Sequence, residues 1–121
     1  MPRRALTVVL AVVAVASLSA CGSESVDLAK SDPNYKGAQL FAERCSGCHT
    51  LDAAGTQGSA TKVRDRERVD GPNFNTRKEQ VDQVLYAIRN GGFSGAIMPE
   101  NIVVGHEAQE VAEYLAKYAG R

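Results

Sequence analysis

The 121-residue sequence has no tryptophan, and its aromatic residues are only three phenylalanines and four tyrosines. So few large side chains make a thin apolar core, and a domain this small buries a poor fraction of its surface. Small domains often need a disulfide, a metal or another large group to complete the core. The length also excludes a multidomain enzyme. We therefore expect one small domain completed by an apolar cofactor.

An excess of positive charge is also missing. Lysine and arginine number 14, aspartate and glutamate also number 14, and the formal net charge is zero. Removal of residues 1–20 takes away Arg3 and Arg4 and leaves 12 minus 14, a net charge of −2. Domains that bind nucleic acid usually carry a clear positive excess. We expect no nucleic-acid partner.

The one long apolar run, Ala5 to Leu18, directly follows Arg3 and Arg4 and is followed by small residues up to Ala20. A basic start before such a run is typical of a secretory signal. The run is marginal for a bilayer span, which needs roughly 20 apolar residues. Residues 18–21 read Leu-Ser-Ala-Cys and resemble a bacterial lipobox, although an ordinary signal or a short uncleaved anchor is the alternative. The sequence thus predicts a signal peptide over 1–20, lipidation of Cys21, and attachment to the outer face of the cytoplasmic membrane or location in the periplasm.

Three amphipathic helices and no convincing strand are expected. Residues 21–31 are polar and predict a tether, so the folded domain is placed at 32–121. The first helix follows the Ser31-Asp32-Pro33 start, with Gly37, Phe41 and Cys45 on one face. The second has a capping box at Thr76 and Glu79 and ends at Gly91, and the third runs from about His106 to Tyr118.

The stretch from Thr50 to Asp70 has no clear period and is expected to be a loop with at most one short helical turn. Its second half, Lys62 to Asp70, alternates in charge. Alternating signs usually indicate a solvated face. We favour that interpretation over a docking patch.

Cys45 and Cys48 are separated by two residues, and His49 follows the second. Three kinds of site share such spacing: a thioredoxin-like redox pair, half of a zinc site, and a covalent haem attachment point. A redox pair belongs at the start of a helix in a βαβ unit, whereas this pair follows a helix. Zinc needs two further ligands, and only His49 and His106 are available. Haem attachment accounts for all three residues, with Cys45 and Cys48 as thioether donors and His49 as an axial ligand.

A sixth ligand for such an iron is predicted at Met98, which is the sole methionine once Met1 is lost with the signal. It follows Gly91, Gly92 and Gly95 and precedes Pro99, a pattern that lets a loop fold over a flat group. A lone methionine more often fills a core. The rival ligand is His106, which stands where an exposed histidine is ordinary.

With these motifs the sequence resembles class I c-type cytochromes, especially small bacterial monohaem ones, over about residues 34–119. The resemblance implies an all-α cytochrome c fold, with three main helices and loops wrapped round one covalent haem c. It also implies a contact between the first and last helices through Gly37, Phe41, Val111 and Tyr114.

The "GPNF" segment at 71–74 is similar to the family segment whose proline carbonyl accepts a hydrogen bond from the histidine Nδ1. That role falls on Pro72, for His49. The stretch between His49 and Gly71 is longer than in the most compact members, so the cover over one haem edge is not defined by the resemblance.

The resemblance implies a one-electron carrier rather than an enzyme. The expected partners are membrane-bound donor and acceptor complexes: a quinol-cytochrome c reductase and a terminal oxidase or photosynthetic reaction centre. Two alternatives remain at this point. One is a haem enzyme or gas-binding protein in which Met98 leaves the iron, and the other is a haem-free lipoprotein with a structural cysteine pair.

Overall fold

The computed structural model describes residues 26–60, 62–92 and 97–121. The predicted signal peptide, Cys21 and the start of the tether lie outside the described residues. Within these ranges, three α-helices and one two-stranded antiparallel sheet follow in chain order: α1 (Tyr35–Arg44), β1 (Thr50–Leu51), β2 (Thr56–Gln57), α2 (Val81–Asn90) and α3 (Gly105–Tyr118). Single 3₁₀ turns lie at Asp52–Ala54 and Val63–Asp65. The expected three helices are confirmed. Within the described ranges, no helix is both long and apolar enough to cross a bilayer.

Helix α1 packs against α3 where Gly37 and Phe41 of α1 meet Tyr114 of α3. A Cβ added at Gly37 would collide with the Glu110 carbonyl oxygen and lie 2.8 Å from the Tyr114 Cβ, so only glycine permits this approach. The rings of Phe41 and Tyr114 are fully buried, with centroids 6.1 Å apart. Burying a side chain of phenylalanine size contributes about 1.5–3 kcal/mol. This crossing is the one that the resemblance implies.

Helix α2 is amphipathic as expected, with Val84 and Ile88 buried. Gly91 ends it at φ +75°, the left-handed conformation in which glycine has no Cβ penalty. The predicted capping box is wrong, because the N-cap is Gln80 and no side chain caps the helix. The Glu79 carboxylate instead pairs with the Arg77 guanidinium.

Helix α3 begins at Gly105, one residue before the predicted start, and ends at Tyr118. Val111, Tyr114 and Leu115 are buried on one face, as the stripe predicts. The Gly120 N–H, just beyond the helix, donates to the Phe74 carbonyl oxygen at 2.7 Å. The end of the chain after α3 is thereby fixed to the segment that follows the loop of residues 50–70.

The expectation of no strand is corrected by the short hairpin of β1 and β2, in which Thr50 pairs with Gln57 and Leu51 with Thr56. The hairpin is held by side chains as well as backbone. The Leu51 N–H donates to Thr56 Oγ1 at 3.0 Å, and Thr50 Oγ1 donates to the Ser59 carbonyl oxygen at 2.9 Å. Strands of two residues are too short to show a period of two in the sequence.

The chain is already packed before the predicted domain start at residue 32. Val26 and Leu28 contact the core, and the Asp27 N–H donates to the Ala53 carbonyl oxygen at 3.2 Å. Asp32 does not begin the first helix, because α1 starts at Tyr35 with Asn34 as its N-cap. Asp32 Oδ1 instead accepts the Asn34 backbone N–H at 2.7 Å. The part of the predicted tether from residue 26 onward therefore lies against the globule.

Candidate functional site

The paired cysteines form a tight turn that continues directly from α1. Cys45 is the C-cap, and its N–H donates to the Phe41 carbonyl oxygen at 2.8 Å. The N–H groups of Cys48 and His49 both donate to the Cys45 carbonyl oxygen, at 3.2 and 3.0 Å. Both thiols are unpaired and partly buried. The turn therefore places two sulfur atoms and one imidazole at one end of a rigid helix.

The turn is tied to the residues around Pro72 by main-chain hydrogen bonds. The Gly71 N–H donates to the Cys48 carbonyl oxygen at 2.7 Å, and the Phe74 N–H donates to that of Thr50 at 2.8 Å. These two bonds flank Pro72 and hold it beside the histidine. The β1–β2 hairpin closes on the same turn, since the Gly58 N–H donates to the His49 carbonyl oxygen at 3.1 Å.

His49 is held on several sides and is only 8% exposed. Its Nδ1 lies 3.1 Å from the Pro72 carbonyl oxygen, the contact that the resemblance implies. Its ring stacks on Phe74 with centroids 4.9 Å apart. Gly71 lies against the ring, because a Cβ there would come within 2.6 Å of Nδ1. The ring orientation is thus fixed by contacts that the protein makes without any ligand.

Burial lowers the pKa of His49, and the positive charge of Arg77 lowers it further, while the hydrogen bond to Pro72 opposes them. The lowered pKa favours the neutral imidazole of His49 at neutral pH. Neutral imidazole is the form that binds a metal. Its free nitrogen is Nε2, because Nδ1 is occupied by Pro72.

The two cysteines do not resemble a reactive dithiol. Burial, with a smaller contribution from Cys48, raises the pKa of Cys45 to about 12. Reactive pairs of the thioredoxin kind depend on a lowered thiol pKa at a helix N-terminus. Here the first cysteine caps the C-terminus of α1. The environment disfavours the redox-pair interpretation.

A cavity of about 470 Å³ opens beside this turn, within the range of cofactor sites in proteins. Cys45, Cys48, His49 and Met98 all line it. Its other walls are mainly apolar and come from all three helices: Phe41, Val84, Ile88, Val111 and Leu115. The predicted donor residues thus share one apolar cavity, and their donor types suit a covalently attached haem.

Met98 is positioned by the end of α2. Its segment is joined to the helix by the Asn101 N–H, which donates to the Ile88 carbonyl oxygen at 2.8 Å. A Cβ at Gly91 would lie 2.7 Å from the Met98 carbonyl oxygen, so a side chain at that position would displace the segment. Phe93 to Ala96, including Gly95 of the predicted loop, lie outside the described residues.

The geometry gives little support to His106 as an iron ligand or to a zinc site. His106 does not line the cavity; its side chain is 85% exposed and its Nδ1 lies 3.4 Å from Glu110 Oε1. No group of three or more histidine, cysteine, aspartate or glutamate side chains in the described part of the chain is arranged to hold a metal ion. The zinc interpretation therefore lacks its two further ligands there.

Four arginines and two acidic residues also border the cavity, and reasoning from the sequence did not identify them. They are Arg44, Arg66, Arg68, Asp70, Arg77 and Glu79. The Glu79 side chain is only 6% exposed, and its burial raises the pKa of the carboxyl, although the adjacent Arg77 opposes the shift. The alternating charges gave no sign of which residues face the cavity.

Three known proteins or families are similar to this chain. The family model "Cytochrome c" matches residues 35–119. Cytochrome c-551 of Bacillus subtilis is 28% identical over 109 residues, which cover 83% of each chain. The crystal structure of the c-type cytochrome SorU from Sinorhizobium meliloti aligns with a TM-score of 0.56 at 32% identity, and the alignment covers 73% of this chain and 92% of that one.

Proposed function

The chain belongs to the cytochrome c family, and from that premise we propose that it carries single electrons on a haem held between His49 and Met98. Membership confirms the cytochrome c fold and the covalent haem c predicted from the sequence. The spacing of Cys45, Cys48 and His49 fits one such haem. The observation that carries the proposal is the shared apolar cavity lined by both cysteines, His49 and Met98.

A bound haem would supply an iron centre for one-electron oxidation and reduction. The chain supplies the fixed surroundings. Cys45 and Cys48 hold the group covalently at the end of α1. The Pro72 carbonyl oxygen accepts the Nδ1 proton of His49, which orients the ring and increases the basicity of Nε2.

Met98 would supply the second protein ligand to the iron, because it lines the same cavity on a segment anchored to α2. A thioether ligand favours the reduced state, and an apolar wall disfavours the extra positive charge of the oxidised state. Both effects raise the reduction potential. With His49 and Met98 both as ligands, the iron would have no open position for substrate, and electron transfer through the exposed cavity edge would be the natural activity.

We further propose that the protein is exported and anchored by a lipid on Cys21. Members of the family are typically exported to the periplasm or the membrane surface. The basic start, apolar run and lipobox-like residues support the same location for this chain. Anchoring would raise the effective concentration at membrane complexes such as a quinol-cytochrome c reductase and a terminal oxidase or photosynthetic reaction centre.

The alternative of a peroxide- or gas-binding haem site requires that Met98 leave the iron and that an acid-base group stand nearby. The candidate from the sequence, His106, is exposed and does not line the cavity. Of the acidic residues that line the cavity, Glu79 pairs with Arg77 and Asp70 accepts two backbone N–H groups, so the carrier is favoured.

Voltammetry of the purified holoprotein tests the proposal. A carrier gives a reversible one-electron couple whose potential is unchanged by added peroxide or carbon monoxide. A catalytic current with peroxide, or a potential shift with carbon monoxide, would favour the open-site alternative. A Cys45→Ala/Cys48→Ala variant, with Ser46→Ala as its control, should lose the haem that otherwise stays attached on a denaturing gel.

A further inference from the structure

Thr50, the residue directly after His49, uses its side chain to bond to the backbone of a distant residue. It is only 1% exposed. Its Oγ1 donates to the Ser59 carbonyl oxygen at 2.9 Å and accepts the Ser59 N–H at 3.0 Å. Since a buried backbone group without a partner is costly, one hydroxyl that bonds to both groups fixes the chain after β2 beside the attachment turn.

The main chain of Thr50 bonds to a different segment, the one that contains Pro72. The Phe74 N–H donates to the Thr50 carbonyl oxygen at 2.8 Å, and Thr50 pairs with Asn73 in an isolated parallel bridge. Thr50 is thus bonded through its side chain to the hairpin and through its main chain to the segment whose carbonyl group lies against His49 Nδ1.

His49 lies between the same two segments. Its carbonyl oxygen accepts the Gly58 N–H at 3.1 Å, and its Nδ1 lies 3.1 Å from the Pro72 carbonyl oxygen. A Cβ at Gly58 would collide with the Ser46 carbonyl oxygen, so the hairpin lies in close contact with the attachment turn. Movement of the hairpin relative to the Pro72 segment would therefore displace His49.

We propose that Thr50 is a positioning residue: it holds the hairpin and the Pro72 segment in register around His49, and through the His49–Pro72 hydrogen bond it lowers the reduction potential of the haem. The inference rests on the proposed function, because it concerns a haem bound by His49. A hydrogen bond from Nδ1 makes the imidazole a stronger electron donor to iron, which favours the oxidised state. A looser hydrogen bond should therefore raise the potential.

The test variant is Thr50→Val, which keeps the β-branched shape and removes the hydroxyl. Thr56→Val is the matched control, because Thr56 is also buried, at 3% exposed, and lies on the partner strand. Its Oγ1 accepts the Leu51 N–H at 3.0 Å and lies 3.5 Å from the Leu51 carbonyl oxygen. Thr56 thus also contacts both main-chain groups of one residue, but within the hairpin.

Redox titration of the holoproteins against a mediator of fixed potential measures the effect. Thr50→Val should shift the equilibrium constant toward the reduced state by at least about twofold, which is about 18 mV at 59 mV per tenfold for one electron. Thr56→Val should keep the parent potential, although both valine variants should unfold at a lower denaturant concentration than the parent. Thr50→Ser, which keeps the hydroxyl, should have the parent potential.

A second readout follows the hydrogen bond itself. In NMR spectra of the ferrous holoprotein, the His49 Nδ1 proton should exchange with deuterated solvent faster in Thr50→Val than in the parent or in Thr56→Val. In the parent, the Ser59 N–H should open with the same free energy as that proton, because the same contacts protect both. This comparison needs no variant, so it decides the question even if Thr50→Val does not fold.

A Thr50→Val variant that unfolds more easily but keeps the parent potential and the parent Nδ1 exchange would overturn the proposal and leave Thr50 a structural role alone. An equal potential shift in Thr56→Val, or a lowered potential in Thr50→Val, would overturn it too. So would a Ser59 N–H that opens more readily than the Nδ1 proton in the parent. Absence of a reversible couple in the parent protein would instead overturn the proposed function itself.

Discussion

Nδ1 of His49 lies 3.1 Å from the carbonyl oxygen of Pro72, 23 residues further along the chain. A carbonyl oxygen only accepts, so Nδ1 carries the proton and Nε2 keeps its lone pair. The neighbouring hydrogen bonds from Gly71 to Cys48 and from Phe74 to Thr50 hold both partners in position. Protein groups alone therefore fix the tautomer of the proposed iron ligand.

Substitution of Gly71 by alanine should disturb this arrangement. The added Cβ would collide with the His49 ring, so the ring must turn or the segment must shift away. We expect a large loss of low-spin haem protein in cells that attach haem, measured by the visible spectrum. Gly47→Ala is the control within the same motif, because a Cβ there meets nothing within 4 Å. Equal yields from the two variants would refute the role assigned to Gly71.

Substitution of Gly37 by alanine should weaken the crossing of α1 and α3. The new Cβ would clash with the Glu110 carbonyl oxygen and the Tyr114 side chain. Overpacking of this kind costs about 1–3 kcal/mol of unfolding free energy. Guanidinium unfolding of the holoprotein measures it. Glu43→Ala, at an exposed position of the same helix, should change the free energy by less than about 0.5 kcal/mol.

Asp32 should make stability depend on pH in the acid range. The Asn34 backbone N–H holds the pKa of Asp32 below its ordinary value of about 3.8, aided by the Asn34 side chain and the Tyr118 hydroxyl. A lowered pKa in the folded state stabilises the protein above the unfolded pKa, and this contribution is lost as pH falls through the folded pKa. The hydroxyl of Tyr118 donates to Asp32 Oδ2 at 2.9 Å and so joins the segment that precedes α1, the N-terminal arm, to α3.

The Asp32→Asn variant should therefore unfold at a lower denaturant concentration than the parent near neutral pH, and the gap should shrink as pH falls below about 3.8. The exposed Asp27, on the same arm, provides the matched Asp27→Asn control, for which no such gap is expected. A gap that persists unchanged at acid pH would show that the effect does not come from ionised Asp32.

The helices and the attachment turn could be predicted because their signals are local. The stripes that include Val84, Ile88, Val111 and Leu115 repeat at helical spacing, and Gly91 marks a helix end by its conformational freedom. The start of α2 was misplaced because Glu79 has two possible partners. Its carboxylate could cap a helix or pair with Arg77, and the folded chain uses the second.

The features between residues 50 and 70 could not be predicted because they depend on contacts across the chain. The hairpin relies on Thr50 and Thr56 side chains that bond to backbone groups of a neighbouring segment. Three charged residues of the stretch line the haem cavity, Arg66, Arg68 and Asp70, and which ones do so depends on where the folded segment lies. A regular alternation of charge carries no such information.

Lipidation makes a separate prediction at the N-terminus. If Cys21 is acylated, intact protein should sediment with membranes and its mature mass should begin at residue 21 with added lipid. The Cys21→Ser variant should retain its haem, because Cys45 and Cys48 are unchanged, but lose the lipid mass and leave the membrane fraction. Export of an unmodified chain cleaved at another position would overturn this prediction.

The most direct test of the central claim is the far-red absorption spectrum of the ferric holoprotein, where iron bound to a thioether sulfur gives a charge-transfer band. We predict that the parent and the His106→Ala variant both show the band, and that Met98→Ala loses it while its haem stays covalently attached. A band that survives in Met98→Ala, or a parent protein that is high-spin without the band, would contradict ligation by His49 and Met98.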